Sequence, residues 1–119
     1  MKRIIVLIVE DESLIRMCAV EMVEDAGYTA IEAANADDAI AVLETRKDIC
    51  VVFTDINMPG SMDGLMLARA IRDRWPHIHL IVTSGLTTPG ERDLPADGRF
   101  LRKPYEAAKV ASTLRELLA

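Results

Sequence analysis

Residues 4–12 read IIVLIVEDE, six apolar residues that run directly into three acids. The apolar part is rich in β-branched side chains on both of its faces, which is typical of a strand covered by helices on each side of a parallel sheet. It is too short to cross a bilayer. The acids also stand where a signal peptide would have its small-residue cleavage site. We therefore expect a buried strand that ends in carboxylates.

Further segments repeat this pattern along the chain. Residues 49–54 and 80–83 are short apolar runs of the same kind, and residues 28–33 and 99–102 are weaker versions. Runs of this composition predict strands, with the weaker pair nearer the edges of the sheet. We therefore expect five strands.

Amphipathic segments separate the predicted strands and indicate helices. The first is expected to extend to about residue 26 and to bury Leu14 and Cys18, and the last to cover about residues 105–118. Side chains that can cap the first three helices precede them: Ser13, Asn35 and Asp63. Strands that alternate with helices predict an α/β domain whose mostly parallel sheet is covered on both faces.

Residues 85–98 break this alternation. Pro89, Pro95 and Gly98 interrupt any helix longer than about one or two turns. We expect a short, irregular or absent fourth helix in this segment.

Length and charge narrow the classes of function. A chain of 119 residues and 13.2 kDa has the size of one domain, so we expect a single domain over residues 1–119. Its net charge of −5 weighs against partners such as nucleic acid or anionic membranes. Cys18 and Cys50 lie in apolar stretches without the spacing of metal ligands. We expect both to be reduced and buried in a cytoplasmic protein.

The carboxyl ends of the predicted strands carry polar side chains, at the edge where such sheets bind ligands. They are Glu10, Asp11, Asp55, Thr83, Ser84 and Lys103. Crowded carboxylates repel one another and are suited to a hard divalent cation such as Mg²⁺ or Mn²⁺. A lysine and a threonine can hold phosphoryl oxygens while a carboxylate attacks phosphorus. We therefore expect phosphoryl transfer, with Asp55 as the nucleophile.

The same residues carry a resemblance to a known family. The motifs are Glu10-Asp11, Asp55-Ile-Asn-Met-Pro59 followed by Asp63-Gly64, Thr83-Ser84, and Lys103-Pro104. With these motifs in this order and spacing, the chain resembles a response-regulator receiver domain of bacterial two-component signalling over essentially its whole length. The resemblance implies a flavodoxin-like (βα)5 fold, a doubly wound sheet of five parallel strands in the order 2-1-3-4-5.

The resemblance also implies a phosphoacceptor and a metal site. Asp55 would take the phosphoryl group. Asp11 would bind Mg²⁺ (or Mn²⁺) directly and Glu10 through water, together with Asp55 and the backbone carbonyl of Asn57. The side chain of Asn57 would face the site and influence the rate of dephosphorylation.

Further residues of the switch are implied in the same way. Thr83 would hydrogen-bond the phosphoryl group and move towards it, and Lys103 would pair with it. Phe100 matches an aromatic position that swings inward on activation, although an ordinary core residue near the sheet edge fits its sequence equally well. The peptide bond between Lys103 and Pro104 is a candidate for the cis form.

The resemblance extends to partners. The donor would be a histidine kinase or a histidine phosphotransfer protein, and an unknown downstream protein would receive the signal. The chain would not be an enzyme beyond its own phosphorylation and autodephosphorylation. An incomplete fourth helix puts the usual dimer surface in doubt, so we expect a monomer or weak dimer. A phosphate sink or a phosphorelay intermediate would have the same site as a switch.

Three other classes of protein remain as alternatives. A metal-dependent aspartyl phosphatase would place a second acid two residues after its nucleophile, where this chain has Asn57. A nucleotide- or flavin-binding module would need a glycine-rich turn after the first strand, where this chain has acids. A degenerate receiver used only for protein contacts would lack part of the site, whereas each position here is filled.

Overall fold

The structure is a computed structural model that describes residues 3–86, 89–90, 94–95 and 97–119. Its elements follow one another along the chain as β1 (Ile5–Val9), α1 (Ser13–Asp25), β2 (Thr29–Ala33), α2 (Ala36–Thr45), β3 (Ile49–Asp55), α3 (Gly64–Arg74), β4 (His79–Ser84), β5 (Arg99–Arg102) and α4 (Ala107–Leu118).

The five strands form one parallel sheet in the order β2-β1-β3-β4-β5. This confirms the predicted fold class and strand order. The core lies in two layers, one on each face of the sheet, because successive side chains of a strand point to opposite faces. In β1, Leu7 and Val9 pack with α2 and α3, whereas Val6 and Ile8 pack with α1 and α4.

Two of the three predicted helix caps are confirmed. The carboxamide oxygen of Asn35 accepts a hydrogen bond from the Asp38 N–H, and the Asp63 carboxylate accepts one from the Met66 N–H. The prediction for Ser13 is wrong, since α1 already begins at Ser13 and its N-cap residue is Glu12, without a side-chain bond to the helix.

The predicted buried side of α1 is also partly wrong. Leu14 is 70% exposed and Cys18 is exposed, whereas Ala19 and Val23 are buried. Cys50 is only partly buried. Apolar residues occupy eight of positions 14–23, so the sequence offers more apolar surface than one face of a helix can bury against the sheet.

The segment between β4 and β5 contains no helix among the residues that the structure describes there, namely 85–86, 89–90, 94–95 and 97–98. The rest of the predicted fourth-helix position, residues 87–88, 91–93 and 96, lies outside the described residues. Within the described part of the chain, no helix is long and apolar enough to cross a membrane.

Candidate functional site

Three carboxylates meet at the carboxyl edge of the sheet. Glu10 directly follows β1, Asp11 begins the turn into α1, and Asp55 ends the neighbouring strand β3. One oxygen from each lies within 4.8 Å of the others. Glu10 and Asp55 are buried, at 3% and 5% exposure, whereas Asp11 is exposed and gives the cluster an opening to solvent.

Lys103 lies between the two buried acids. Its Nζ is 2.6 Å from Glu10 Oε1 and 3.3 Å from Asp55 Oδ2. The backbone holds this residue in place, because the Lys103 N–H bonds the carbonyl of Ser84 and extends the pairing of β5 with β4. The following Lys103-Pro104 peptide bond is cis. The ammonium group therefore contacts Glu10 more closely than it contacts the predicted phosphoacceptor.

The charges of this cluster are perturbed by their surroundings. Burial raises the pKa of Glu10 and the pKa of Asp55 above their ordinary values, although Lys103 acts in the opposite direction on both. Burial acts to lower the pKa of Lys103, but its pairing with the two acids outweighs this and the pKa of Lys103 is raised. A site in which carboxylates are costly to ionise and a lysine stays charged is suited to an additional cation.

Thr83 completes the wall of the site on the next strand. It pairs with Asp55 in the β3–β4 ladder, and its carbonyl accepts a bond from the Ile56 N–H. The Thr83 side chain is 2% exposed, yet its Oγ1 has no hydrogen-bond partner among the described residues. A buried hydroxyl without a hydrogen-bond partner costs free energy. An acceptor that enters the site would remove this cost by accepting a hydrogen bond from Oγ1.

The loop after β3 is held close to the site. The Ser84 hydroxyl donates to Asn57 Oδ1 at 2.7 Å and links this loop to the end of β4. Further along, the Ser61 hydroxyl donates to the Asp37 carboxylate on α2 at 2.7 Å. At the start of α3, Gly64 is buried so closely against the backbone of Asp55 that no side chain fits there. The loop therefore keeps Asn57, the residue expected to offer its carbonyl to a metal, next to Asp55.

Phe100 lies on β5 opposite Val82, one residue before the level of Thr83. It is half-buried and packs against the core layer of α2 and α3. Its predicted switching role stays a prediction.

Sequence reasoning missed one residue that contacts this region. Arg16, in the first turn of α1, donates from Nη1 to the carbonyl oxygen of Glu10 at 2.7 Å and from Nε to Glu32 on β2 at 3.1 Å. The available signal was an arginine one turn into the helix that follows the acids. Because helical side chains point back towards the start of their helix, this spacing is compatible with a contact to the acids.

The donor set fits a magnesium ion. It offers hard carboxylate oxygens from three residues, a solvent-facing side at Asp11, and crowded negative charge that a divalent cation relieves. The geometry thus defines a receiver-type site on a flavodoxin-like sheet, with acids, a lysine and a free hydroxyl at the strand ends.

Comparison with known proteins assigns the family. A family model of the response regulator receiver domain matches residues 6–115, so the chain belongs to this family. It is 38% identical over 117 residues to the sensor kinase CckA of Brucella abortus (strain 2308), covering 95% of this chain but only 12% of that protein. It is 30% identical over 121 residues to the response regulator receiver protein CpdR of the same organism, covering 99% of this chain and 98% of that one.

The fold is matched by solved structures as well. A response regulator receiver protein from Sinorhizobium medicae WSM419 superposes with a TM-score of 0.90 at 24% identity, covering 98% of this chain and 95% of that chain. The relatives thus include a protein of similar length and one in which this chain spans about an eighth of the length.

Proposed function

We propose that this chain is a phosphorylation-dependent switch or relay that accepts a phosphoryl group on Asp55 from a phosphohistidine. The donor would be a histidine kinase or a histidine phosphotransfer protein. One observation carries the proposal: the buried Asp55 carboxylate lies within 4.8 Å of two other acids and 3.3 Å from Lys103, beside an unpaired Thr83 hydroxyl. This arrangement disfavours a bare carboxylate and favours one that is neutralised by a cation and modified.

Asp11, Glu10, Asp55 and the carbonyl of Asn57 would hold Mg²⁺. When bound, the ion would neutralise the acids and withdraw charge from the phosphoryl oxygens. An Asp55 oxygen attacks phosphorus, and the bond between phosphorus and the donor imidazole nitrogen breaks. The imidazole leaves with that electron pair, and an acyl phosphate remains on Asp55.

The residues around Asp55 explain how the modification can change the protein. A phosphoryl group adds about −1.5 to −2 charges and strong acceptor oxygens at one point. Lys103 would move from Glu10 towards this charge, and the unpaired Thr83 hydroxyl would donate to a phosphoryl oxygen. Since Ser84 follows Thr83 and bonds Asn57, a shift of the β4 end would pass into the loop after β3.

An apolar surface beside the site is suited to the donor protein. Leu14 and Met17 are 70% and 57% exposed on α1. A cavity of about 470 Å³ separates this helix from Lys103, Pro104 and Tyr105 and is lined almost entirely by apolar atoms. Because Lys103 belongs to both the cavity and the acid cluster, a protein that docks here lies next to Asp55. We therefore assign this surface to the phosphohistidine donor.

Magnesium-dependent uptake of phosphoryl from acetyl phosphate tests the proposal. Intact mass should rise by about 80 Da, one phosphoryl unit, only when Mg²⁺ is present. Asp55→Asn should abolish the gain, whereas Asp73→Asn, which removes an exposed acid from the end of α3, should retain it. No gain in the wild-type protein, or an equal gain in Asp55→Asn, would contradict the proposal.

The proposal includes no turnover of other substrates. A phosphorelay intermediate would pass its phosphoryl group on to a histidine, whereas a switch would hold it and bind a target. Incubating the phosphorylated protein with a histidine phosphotransfer protein distinguishes the two. In a relay, the mass of this chain should fall by about 80 Da while the mass of the phosphotransfer protein rises by the same amount.

A further inference from the structure

The side chain of Arg16 is less exposed to solvent than is usual for an arginine. Arg16 lies in the first turn of α1, and its side chain is 20% exposed. Its two bonds lead to different strands: Nη1 to the carbonyl oxygen of Glu10 at the end of β1, and Nε to the Glu32 carboxylate on β2. A planar guanidinium can hold both acceptors in one fixed geometry.

The carbonyl oxygen of Glu10 belongs to the peptide unit that joins Glu10 to Asp11 in the β1–α1 turn. The Glu10 N–H bonds Ala33 on β2, and the Glu12 N–H bonds Glu10 Oε2. These bonds fix the strand end and the Glu10 side chain. The carbonyl of Glu10 is fixed by Arg16, and its orientation determines the direction in which the chain continues to Asp11.

We propose that Arg16 is a positioning residue of the metal site, which fixes the Glu10–Asp11 peptide so that both carboxylates face Asp55. This inference rests on the proposed function, because it takes the acid cluster to be the site of Mg²⁺. Arg16 acts through the backbone of Glu10 and does not itself touch the metal or the phosphoryl group.

The proposal and simple electrostatics predict opposite changes in Mg²⁺ affinity when Arg16 is replaced by a neutral residue. As a positive charge near the site, Arg16 repels a divalent cation, so its removal would tighten Mg²⁺ binding if charge alone mattered. As a positioning residue it preorganises the ligands, so its removal weakens binding. Loss of a residue that orients metal ligands typically costs about 10- to 100-fold in affinity. We expect about 10-fold, since the backbone of the turn keeps its other two bonds.

Isothermal titration with Mg²⁺ alone measures this directly. Arg16→Gln should raise the dissociation constant about 10-fold. Arg16→Lys, which keeps the charge but not the planar pair of donors, should raise it by a smaller factor. Glu32→Gln removes the salt bridge and leaves the bond to Glu10, so its dissociation constant should stay within about twofold of wild type. Phosphoryl uptake by Arg16→Gln should recover at saturating Mg²⁺.

The outcomes separate the two proposals. Equal or tighter binding by Arg16→Gln and Arg16→Lys, with wild type binding normally, would overturn the positioning role and leave the proposed function intact. An equal loss of affinity in Glu32→Gln would overturn it too, by assigning the effect to the link between α1 and β2. If wild type binds no Mg²⁺, the proposed function fails and the role of Arg16 fails with it. Urea unfolding of each variant shows whether it is folded, and Arg16→Lys carries the test if Arg16→Gln is not.

Discussion

Replacing Asp55 with asparagine is expected to stabilise the metal-free protein against unfolding, although it removes the predicted phosphoacceptor. The ionised Asp55 is attracted by Lys103 at 3.3 Å and repelled by Glu10 and Asp11 within 4.8 Å. At an effective dielectric of about 20, the attraction amounts to about 5 kcal/mol, and a repulsion at the 4.8 Å upper limit amounts to about 3.5 kcal/mol for each acid. The charge is therefore net unfavourable by about 2 kcal/mol, before the cost of burying it.

Urea unfolding in the presence of a chelator measures the effect. Asp55→Asn keeps the shape of the side chain and removes its charge, so the free energy of unfolding should rise by about 2 kcal/mol and the urea midpoint by about 1 M. Asp73→Asn removes the same charge from an exposed position and should stay within about 0.5 kcal/mol of wild type. An Asp55→Asn protein that is no more stable than wild type would refute the reasoning.

Magnesium should reduce the difference in stability between the two proteins. A ligand present at about 100 times its dissociation constant stabilises the folded state by about 2.7 kcal/mol. Wild type should gain this amount, whereas Asp55→Asn has lost one anionic ligand and should gain less. An equal gain in both proteins would show that Asp55 contributes nothing to the metal site.

The pH dependence of the stability of the metal-free protein provides an independent test of this reasoning. Burial raises the pKa of Asp55 and the pKa of Glu10, so the folded state takes up protons at a higher pH than the unfolded state. Stability contributed in this way increases as pH falls through the raised pKa values towards the ordinary values. Wild type should therefore gain stability as the pH is lowered from neutrality towards the ordinary carboxyl values, and Asp55→Asn should gain less.

Four further variants test other features of the structure. Gly64→Ala should lower the free energy of unfolding by about 3 kcal/mol, because a Cβ would collide with the Asp55 backbone. Gly60→Ala, whose Cβ meets nothing but whose φ is +114°, should cost about 1 kcal/mol in the same urea titration. Thr83→Val should leave the unphosphorylated protein as stable as wild type or up to about 1 kcal/mol more stable, since it removes an unpaired buried hydroxyl. In wild type we expect phosphorylation to shift the amide NMR signals around β4, and Thr83→Val should lack these shifts. Leu14→Glu should leave acetyl phosphate uptake unchanged and slow transfer from a phosphohistidine protein; equal slowing of both would contradict the docking surface.

The position of the site was predictable because it follows from topology. In a parallel sheet all strands end at the same edge, so an apolar run followed by acids, another ending in Asp55 and a third leading to Lys103 bring their polar ends together. Asn35 and Asp63 were predictable for a similar reason, since a short polar side chain before an amphipathic segment needs only local geometry to cap it.

The details of side-chain contact were not predictable in this way. The apolar residues of α1 nearly encircle the helix, so its pattern does not show that Ala19 faces the sheet and Leu14 faces solvent. The closer approach of Lys103 to Glu10 than to Asp55 depends on where β5 ends relative to β1 and β3. The two contacts of Arg16 were not predictable either. They depend on how far β1 and β2 lie from α1, and the spacing of residues in the sequence does not give these distances.

Crowding of the three acids would be useful to the proposed switch. If Glu10, Asp11 and Asp55 lay far enough apart to avoid repulsion, a bound cation would relieve little repulsion between them. A phosphoryl group on Asp55 would then also disturb few of the surrounding contacts. The crowding of these acids within 4.8 Å is expected to make the metal-free site unfavourable, with Lys103 compensating for only part of the repulsion. An added charge is therefore expected to draw Lys103 away from Glu10 or to give the unpaired Thr83 hydroxyl an acceptor, and both residues lie at strand ends that continue into loops. Repulsion of this kind is confined to one site, whereas the other residues of the sheet favour the same fold. A small chemical change at that site can therefore alter the local structure.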